Sequence, residues 1–280
     1  MSFEDVWGQA PAVQTLTRAL QSDHVHHAYR FEGPPGVGKE MTALRLARAL
    51  VCPQGELGCG SCSACRRALA FSSDEPQVPQ HPDVVLVGRG IYRSVTGQAE
   101  ATGIGIDQIR RVVLTRIGFP PHEGHSLVFI VRDADELTPP AANALLKTLE
   151  EPPSRTRFVL LTSRPNRLLD TIRSRTLPVR FGALADAVLE RILAARGLPT
   201  ERVALAQGSA DLAVELASGE AVRERERFSD EALAVLGAPD FVPALRLAES
   251  RKGDRESVKA DLGFLAQRLA LHARESIRTQ

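Results

Sequence analysis

Apolar and polar positions along the chain change their spacing several times, and each change marks an element. Residues 11–22, PAVQTLTRALQS, carry apolar side chains at helical spacing behind Pro11 and predict a short amphipathic helix. AYRF, 28–31, is a short apolar run and predicts a buried strand. A glycine-rich turn follows, and KEMTALRLARALV, 39–51, returns to helical spacing. DVVLVG (83–88), SLVFIV (126–131), TRFVLLTS (156–163) and LPVRF (177–181) predict four more strands. IDQIRRVVLTRI (106–117) and LTPPAANALLKTLEE (137–151) predict helices, the second with prolines in its first turn. SSDEPQVPQHP (72–82) predicts a polar connection, and GRGIYRSVTGQAEATG (88–103) a mobile loop. From about Ala183 the pattern is helical throughout, with ALADAVLERILAARG stopping at Gly197.

Strands alternating with helices predict a parallel sheet with right-handed crossovers. The reading is therefore a three-layer α/β domain, then a small helical domain, then a helical C-terminal region. A chain of 280 residues has room for this, and 43% hydrophobic residues can fill a core. The net charge of +1 means that any contact with nucleic acid comes from a local patch or from partners. No run approaches the ~18 to 20 apolar residues that span a bilayer. The start, MSFEDVWGQA, is acidic and polar, unlike a secretory signal.

FEGPPGVGKE, 31–40, follows the phosphate-binding pattern G-x-x-x-x-G-K-[ST] up to its last letter, where Glu40 stands in place of a hydroxyl. The strand before it and the helix after it are the context such a loop requires. Gly33, Gly36 and Gly38 would let backbone N–H groups approach phosphates, and Lys39 would reach the terminal ones. The missing Ser or Thr would have held Mg²⁺. Glu40 could offer oxygen to the metal, but it carries negative charge toward phosphates. Two such charges ~4 Å apart at an effective dielectric of ~20 repel by about 4 kcal/mol, as much as a millimolar ligand gains on binding. At the end of the strand 126–131, where working enzymes carry a metal-binding Asp and a second carboxylate, Arg132 and then Asp133 follow.

All four cysteines are clustered: Cys52, Cys59, Cys62 and Cys65. Two C-x2-C steps, with Gly58 and Gly60 for tight turns, suit a closed tetrahedral and structural Zn²⁺. An iron–sulfur cluster or two disulfides are the alternatives. His24, His26 and His27 have no carboxylate or cysteine at ligand spacing and are read as a turn with one packed imidazole. RERERF, 223–228, is read as a solvated helix face. Trp7-Gly8-Gln9 alone would be an N-terminal packing segment, and Arg175 a surface arginine at a helix end.

HHAYRFEGPPGVGK (26–39), the cysteine knuckle, NALLKTLEEPP (143–153) and IRSRT (172–176) resemble the AAA+ clamp loader subunits of bacterial DNA polymerase III, the tau/gamma and delta-prime chains. The resemblance covers roughly residues 4–182. It implies an AAA+ P-loop domain over 1–182 with the zinc knuckle (52–65) inserted, a helical lid over 183–218 and a helical collar over 219–280. Trp7-Gly8-Gln9 would lie near an adenine pocket. Aligned back from Asn143, the family's phosphate-loop hydroxyl falls on Glu40, its metal-binding Asp on Arg132 and its catalytic Glu on Asp133. Its Gly-Ser motif falls on GSADLA, 208–213, with no arginine after it. Four departures imply a chain that does not hydrolyse ATP, closer to the delta-prime branch than to tau/gamma, whose active ATPase is the alternative. They leave Mg²⁺ out and ATP binding open. IRSRT implies that Arg175, with Thr176 where the family has Cys, enters the ATP site of a neighbour as an arginine finger, an effect worth ~10³ to 10⁵ in rate. The implied setting is the cytoplasmic, nucleoid-associated replisome. The partners are tau/gamma and delta subunits, primed DNA within the complex and, indirectly, the sliding clamp, with no membrane.

Overall fold

A computed structural model of the chain describes residues 3–55, 57–92, 103–236 and, after these, 242, 247, 258, 261–266, 268–270 and 273. The chain divides into two compact units, Met1–Gly182 and Ala183–Gln280. The first is built on five parallel strands: β1 (Ala28–Glu32), β2 (Val84–Val87), β3 (Leu127–Val131), β4 (Thr156–Thr162) and β5 (Leu177–Arg180). Their order across the sheet is β2-β3-β4-β1-β5.

The apolar runs are strands because both faces of this sheet are covered. Val128 and Ile130 of β3 turn to one face, where they meet Phe31 and Val159 and the helices α1 (Ala10–Gln21) and α2 (Lys39–Val51). Leu127, Phe129 and Val131 turn to the other, against Phe158, Leu145, Leu149 and Ile172. The helices there are a composite helix α4, α5 (Pro139–Glu150) and α6 (Asp170–Arg173). α4 runs through Ile106–Gln108, Ile109–Leu114 and Thr115–Ile117, and its middle is π-helical rather than the expected α-helix. Over so few turns an apolar pattern does not separate the two periods, and Ile109, Val112 and Val113 are all buried. A helix missed by the pattern, α3 (Ser63–Leu69), follows the cysteine turns.

The second unit contains α7 (Asp186–Ala195), α8 (Ala210–Ala217) and α9 (Glu220–Leu236). Its core joins Leu184, Leu189, Leu193, Val203, Ala213, Leu216 and Phe264. The charge run in α9 is more than a solvated face. Arg225 pairs with Glu215, Glu226 accepts from Arg202 Nε at 2.8 Å, and Phe228 is buried. Of the expected mobile loop, 93–102 lie outside the described residues, as does most of the expected collar beyond α9. Among the described residues no helix is long and apolar enough to cross a membrane.

Phe129 and Phe158 stack with centroids 5.1 Å apart on neighbouring central strands, both fully buried. Phe158→Ala is expected to lower the unfolding free energy by about 3–5 kcal/mol in urea titration; a loss under ~1 kcal/mol would show that this layer repacks freely.

Candidate functional site

β1 leads into the glycine loop along the flank of β5. A Cβ on Gly33 would lie 2.3 Å from the Phe181 carbonyl oxygen, so only glycine passes there. Gly38, at φ 93°, sits in the left-handed region and caps the start of α2. Gln9 closes the loop from outside. Its carboxamide donates to Val37 O (3.1 Å) and Gly182 O (2.8 Å) and accepts from Gly182 N (3.2 Å). Lys39 is buried, and its Nζ is turned back onto the loop. It donates to Gly33 O at 2.6 Å, Pro34 O at 2.5 Å and Ser163 Oγ at 3.1 Å.

The next residue carries the decisive contact. Glu40 accepts two hydrogen bonds from Arg132, Nε to Oε2 at 2.6 Å and Nη2 to Oε1 at 2.5 Å. This is a fork-to-fork pair, the strongest form of the interaction. Burial works against the charge on Arg132, but the Glu40 carboxylate outweighs it and pushes the arginine pKa up. Two expectations are corrected here. Glu40 does not present a bare charge to a ligand, because Arg132 neutralises it. And the departures at Glu40 and Arg132 are one feature, a salt bridge spanning α2 and the end of β3.

Asp133 follows in a left-handed turn, φ 49° and ψ 52°. Loss of solvent raises its pKa, and the Asp135 and Glu40 carboxylates add to this against Arg132 and Lys39. The structure thus brings Gly33, Gly36, Gly38, Lys39 and Asp133 to one end of the sheet. Asp135 beside them, its side chain only 2% exposed, accepts from Thr162 Oγ1 at 2.6 Å and Arg164 Nε at 2.7 Å. In the second unit, Gly208 packs against Ala183 and Ser209 caps α8, its hydroxyl accepting from Leu212 N at 3.3 Å. Local structure therefore accounts for that Gly-Ser pair, and α8 carries no arginine.

Arg175 lies at the opposite end of the strands. The glycine loop leaves β1 after Glu32, which pairs with Arg180, whereas Arg175 precedes Leu177, which pairs with Tyr29. Three residues of strand separate the two registers by ~10 Å, and the arginine stands beyond that. It lines an open depression of about 610 Å³ with His26, His27, Glu150 and Ser174. Its guanidinium pairs with Glu150 (2.5 Å) and donates to Thr171 O (2.9 Å) and Ser174 Oγ (3.2 Å). The packed-imidazole reading of the histidines holds in outline. His26 and His27 stack at 4.2 Å, His27 Nε2 meets Leu149 O at 3.1 Å and His26 Nδ1 meets Ala28 O at 2.8 Å.

The cysteine sulfurs all lie within 4.8 Å of one another. Cys52–Cys62 is 4.0 Å and Cys59–Cys65 is 3.9 Å. A tetrahedral ion with metal–sulfur bonds of ~2.3 Å would set its ligands ~3.8 Å apart. Disulfides need ~2.05 Å, so that alternative is excluded here, and the cysteines are free. Backbone N–H groups of Cys59, Cys62 and Cys65 point at the sulfurs of Cys52, Cys59 and Cys62 at 3.3, 3.3 and 3.4 Å. Amide donation from Cys62 and Ser61 pulls the Cys59 thiol down to about 6, whereas burial pushes Cys65 up to about 12. Gly58 and Gly60 turn the chain between them at φ 71° and 77°. The donor set fits a thiophilic ion, and it leaves no coordination position for a substrate.

The family described as DNA polymerase III, delta subunit, matches residues 8–185, essentially the first unit. The chain belongs to this family. It is 36% identical over 195 residues to DNA polymerase III subunit gamma/tau of Mycobacterium tuberculosis, covering 69% of this chain and 31% of that one. It is 35% identical over 184 residues to subunit delta' of Bacillus subtilis (65% and 50%) and 36% over 167 residues to subunit delta' of Escherichia coli (59% and 45%). The chain therefore spans half or less of the length of these curated relatives.

In this member of the delta-subunit family, the pattern of the sequence passed over two residues. Arg30, in the middle of β1, is buried and bonded to the turn that carries Arg175. A charged residue inside an otherwise apolar strand was the signal. Glu150, one of two acidic residues ending α5, had none, because only the fold sets it against Arg175.

Two outcomes are expected. Purified chain should hold one tightly bound metal ion by elemental analysis, and Cys62→Ser should lose it and melt at least about 5 °C lower; full stability with no metal would refute the site. A double-mutant cycle on Glu40→Ala and Arg132→Ala should give a coupling of roughly 1 kcal/mol in urea unfolding, with additivity showing the contact to be idle.

Proposed function

We propose that this chain is a delta-prime-like subunit of the DNA polymerase III clamp loader that does not hydrolyse ATP itself and lends Arg175 to the ATP site of a neighbouring subunit. The observation that carries this reading is the Glu40–Arg132 salt bridge. It occupies the positions from which a hydroxyl and a carboxylate would hold Mg²⁺, and both Glu40 oxygens are taken up by the guanidinium. Lys39, folded onto Gly33 and Pro34, supports the same reading. The position of Arg175 at the far end of the strands supports a role in trans, since its own loop is out of reach.

In this role the chain contributes no reacting group of its own. The guanidinium would meet the charge that spreads over the transferring phosphoryl oxygens, where a positioned cation lowers the barrier. Tau/gamma and delta subunits are the proposed neighbours, with primed DNA inside the assembly and the sliding clamp as indirect partner. The proposed ion at the four cysteines is Zn²⁺, which would crosslink the turn 52–65 to the N-terminal end of α3 without taking part in catalysis.

The isolated chain is expected to show no Mg²⁺-dependent ATP turnover above background. In the assembled loader on primed DNA, Arg175→Ala should cut stimulated hydrolysis by about 10³-fold while size-exclusion shows the assembly intact. Metal-dependent turnover by the isolated chain that Lys39→Ala abolishes would replace this reading with the tau/gamma-like ATPase. Unchanged hydrolysis by the Arg175→Ala assembly would leave a scaffold only.

A further inference from the structure

β1 is a central strand, and along it Tyr29 and Phe31 enter one core while Ala28 enters the other. Arg30 falls on the Ala28 face, with only 8% of its side chain exposed. A guanidinium there is tolerable only if its donors are satisfied. Its Nε donates to Glu32 Oε1 at 2.5 Å. Its Nη1 donates twice, to Arg173 O at 2.8 Å and to Thr176 Oγ1 at 2.8 Å. Thr176 passes the chain on, its hydroxyl donating to Ile172 O at 2.9 Å.

These acceptors bracket two residues, Ser174 and Arg175. α6 is a single turn, Asp170–Arg173, and the carbonyls that end a helix have no partner within it. Arg30 supplies one from the sheet, with positive charge at the negative end of the turn. The same nitrogen holds Thr176, so the backbone is fixed on both sides of Arg175 and its side chain leaves from a turn anchored to the central sheet. The hydroxyl of Thr176 suits both contacts, since it accepts from Arg30 while donating to Ile172 O.

We propose that Arg30 is a positioning residue for Arg175, acting through Thr176 and the Arg173 carbonyl; this rests on the trans-acting role proposed above. The bland alternative is that Arg30 only stabilises β1. The two differ in whether its loss is felt through Arg175.

Two measurements decide it. In the full chain, hydrogen exchange of the 174–177 amides should accelerate roughly tenfold in Arg30→Met and in Thr176→Val, with β4 amides unchanged. In the assembled loader on primed DNA, each variant should lower kcat about tenfold at unchanged KM for ATP, and neither should lower it further in an Arg175→Ala background. Thr176→Val keeps shape and removes the acceptor, so it carries the test should Arg30→Met fail to fold. Unchanged exchange overturns the proposal, as does a kcat loss that persists without Arg175. If Arg175→Ala itself leaves turnover intact, the trans role fails, and the exchange result alone then decides whether Arg30 holds the turn.

Discussion

Five parallel strands point one way, and that shared direction governs everything else in the first unit. The glycine loop must leave the C-terminal end of β1, and the turn before β5 must lie near the N-terminal end of the same strand. The sheet separates these ends, and its two apolar layers make that separation rigid. A chain built this way has two working ends that cannot serve one ligand.

Electrostatics at the loop end are self-contained. Glu40, Arg132, Lys39 and Asp135 all find protein partners. A carboxylate beside the start of a helix is favoured by the helix dipole, and Glu40 gains this as well as its arginine. The Glu40–Arg132 salt bridge fastens the start of α2 to the end of β3. The glycine loop is also part of the packing between Phe181, Gln9 and α2.

The cysteine cluster solves a different problem. The segment 52–65 has few apolar side chains and no strand to join, so it cannot fold on burial alone. Four sulfurs set by two glycine turns and the start of α3 give it a fixed centre. Asp83 does a similar service nearby with no metal. Its carboxylate accepts from the backbone of His122 (2.6 Å), Glu123 (2.8 Å) and Gly124 (2.7 Å) and so sets the loop that feeds β3.

Periodicity alone was enough to locate all five strands to within a residue or so at each end; β2, β3 and most of β4 are buried on both faces and appear as apolar runs, whereas β5 is mostly exposed. The cysteines and the glycine loop were legible for a related reason: their chemistry depends on neighbours only a few residues away. The π-helical middle of α4 was not, since its period differs too little from an α-helix over two turns. What escaped the sequence were contacts between distant residues. Glu40 and Arg132 are 92 positions apart, and Arg30 and Thr176 are 146 apart. Glu40, Arg132 and Arg30 are charged and Thr176 is a hydroxyl, and the linear order of residues points none of them to its partner. Only the fold makes them pairs, because the cost of burying a charge is cancelled by a partner whose position is set by strand register and not by proximity in the chain. The linear order of residues determined the sheet, the loop and the four-cysteine cluster; three-dimensional packing decided which charges are satisfied and at which end of the sheet Arg175 lies.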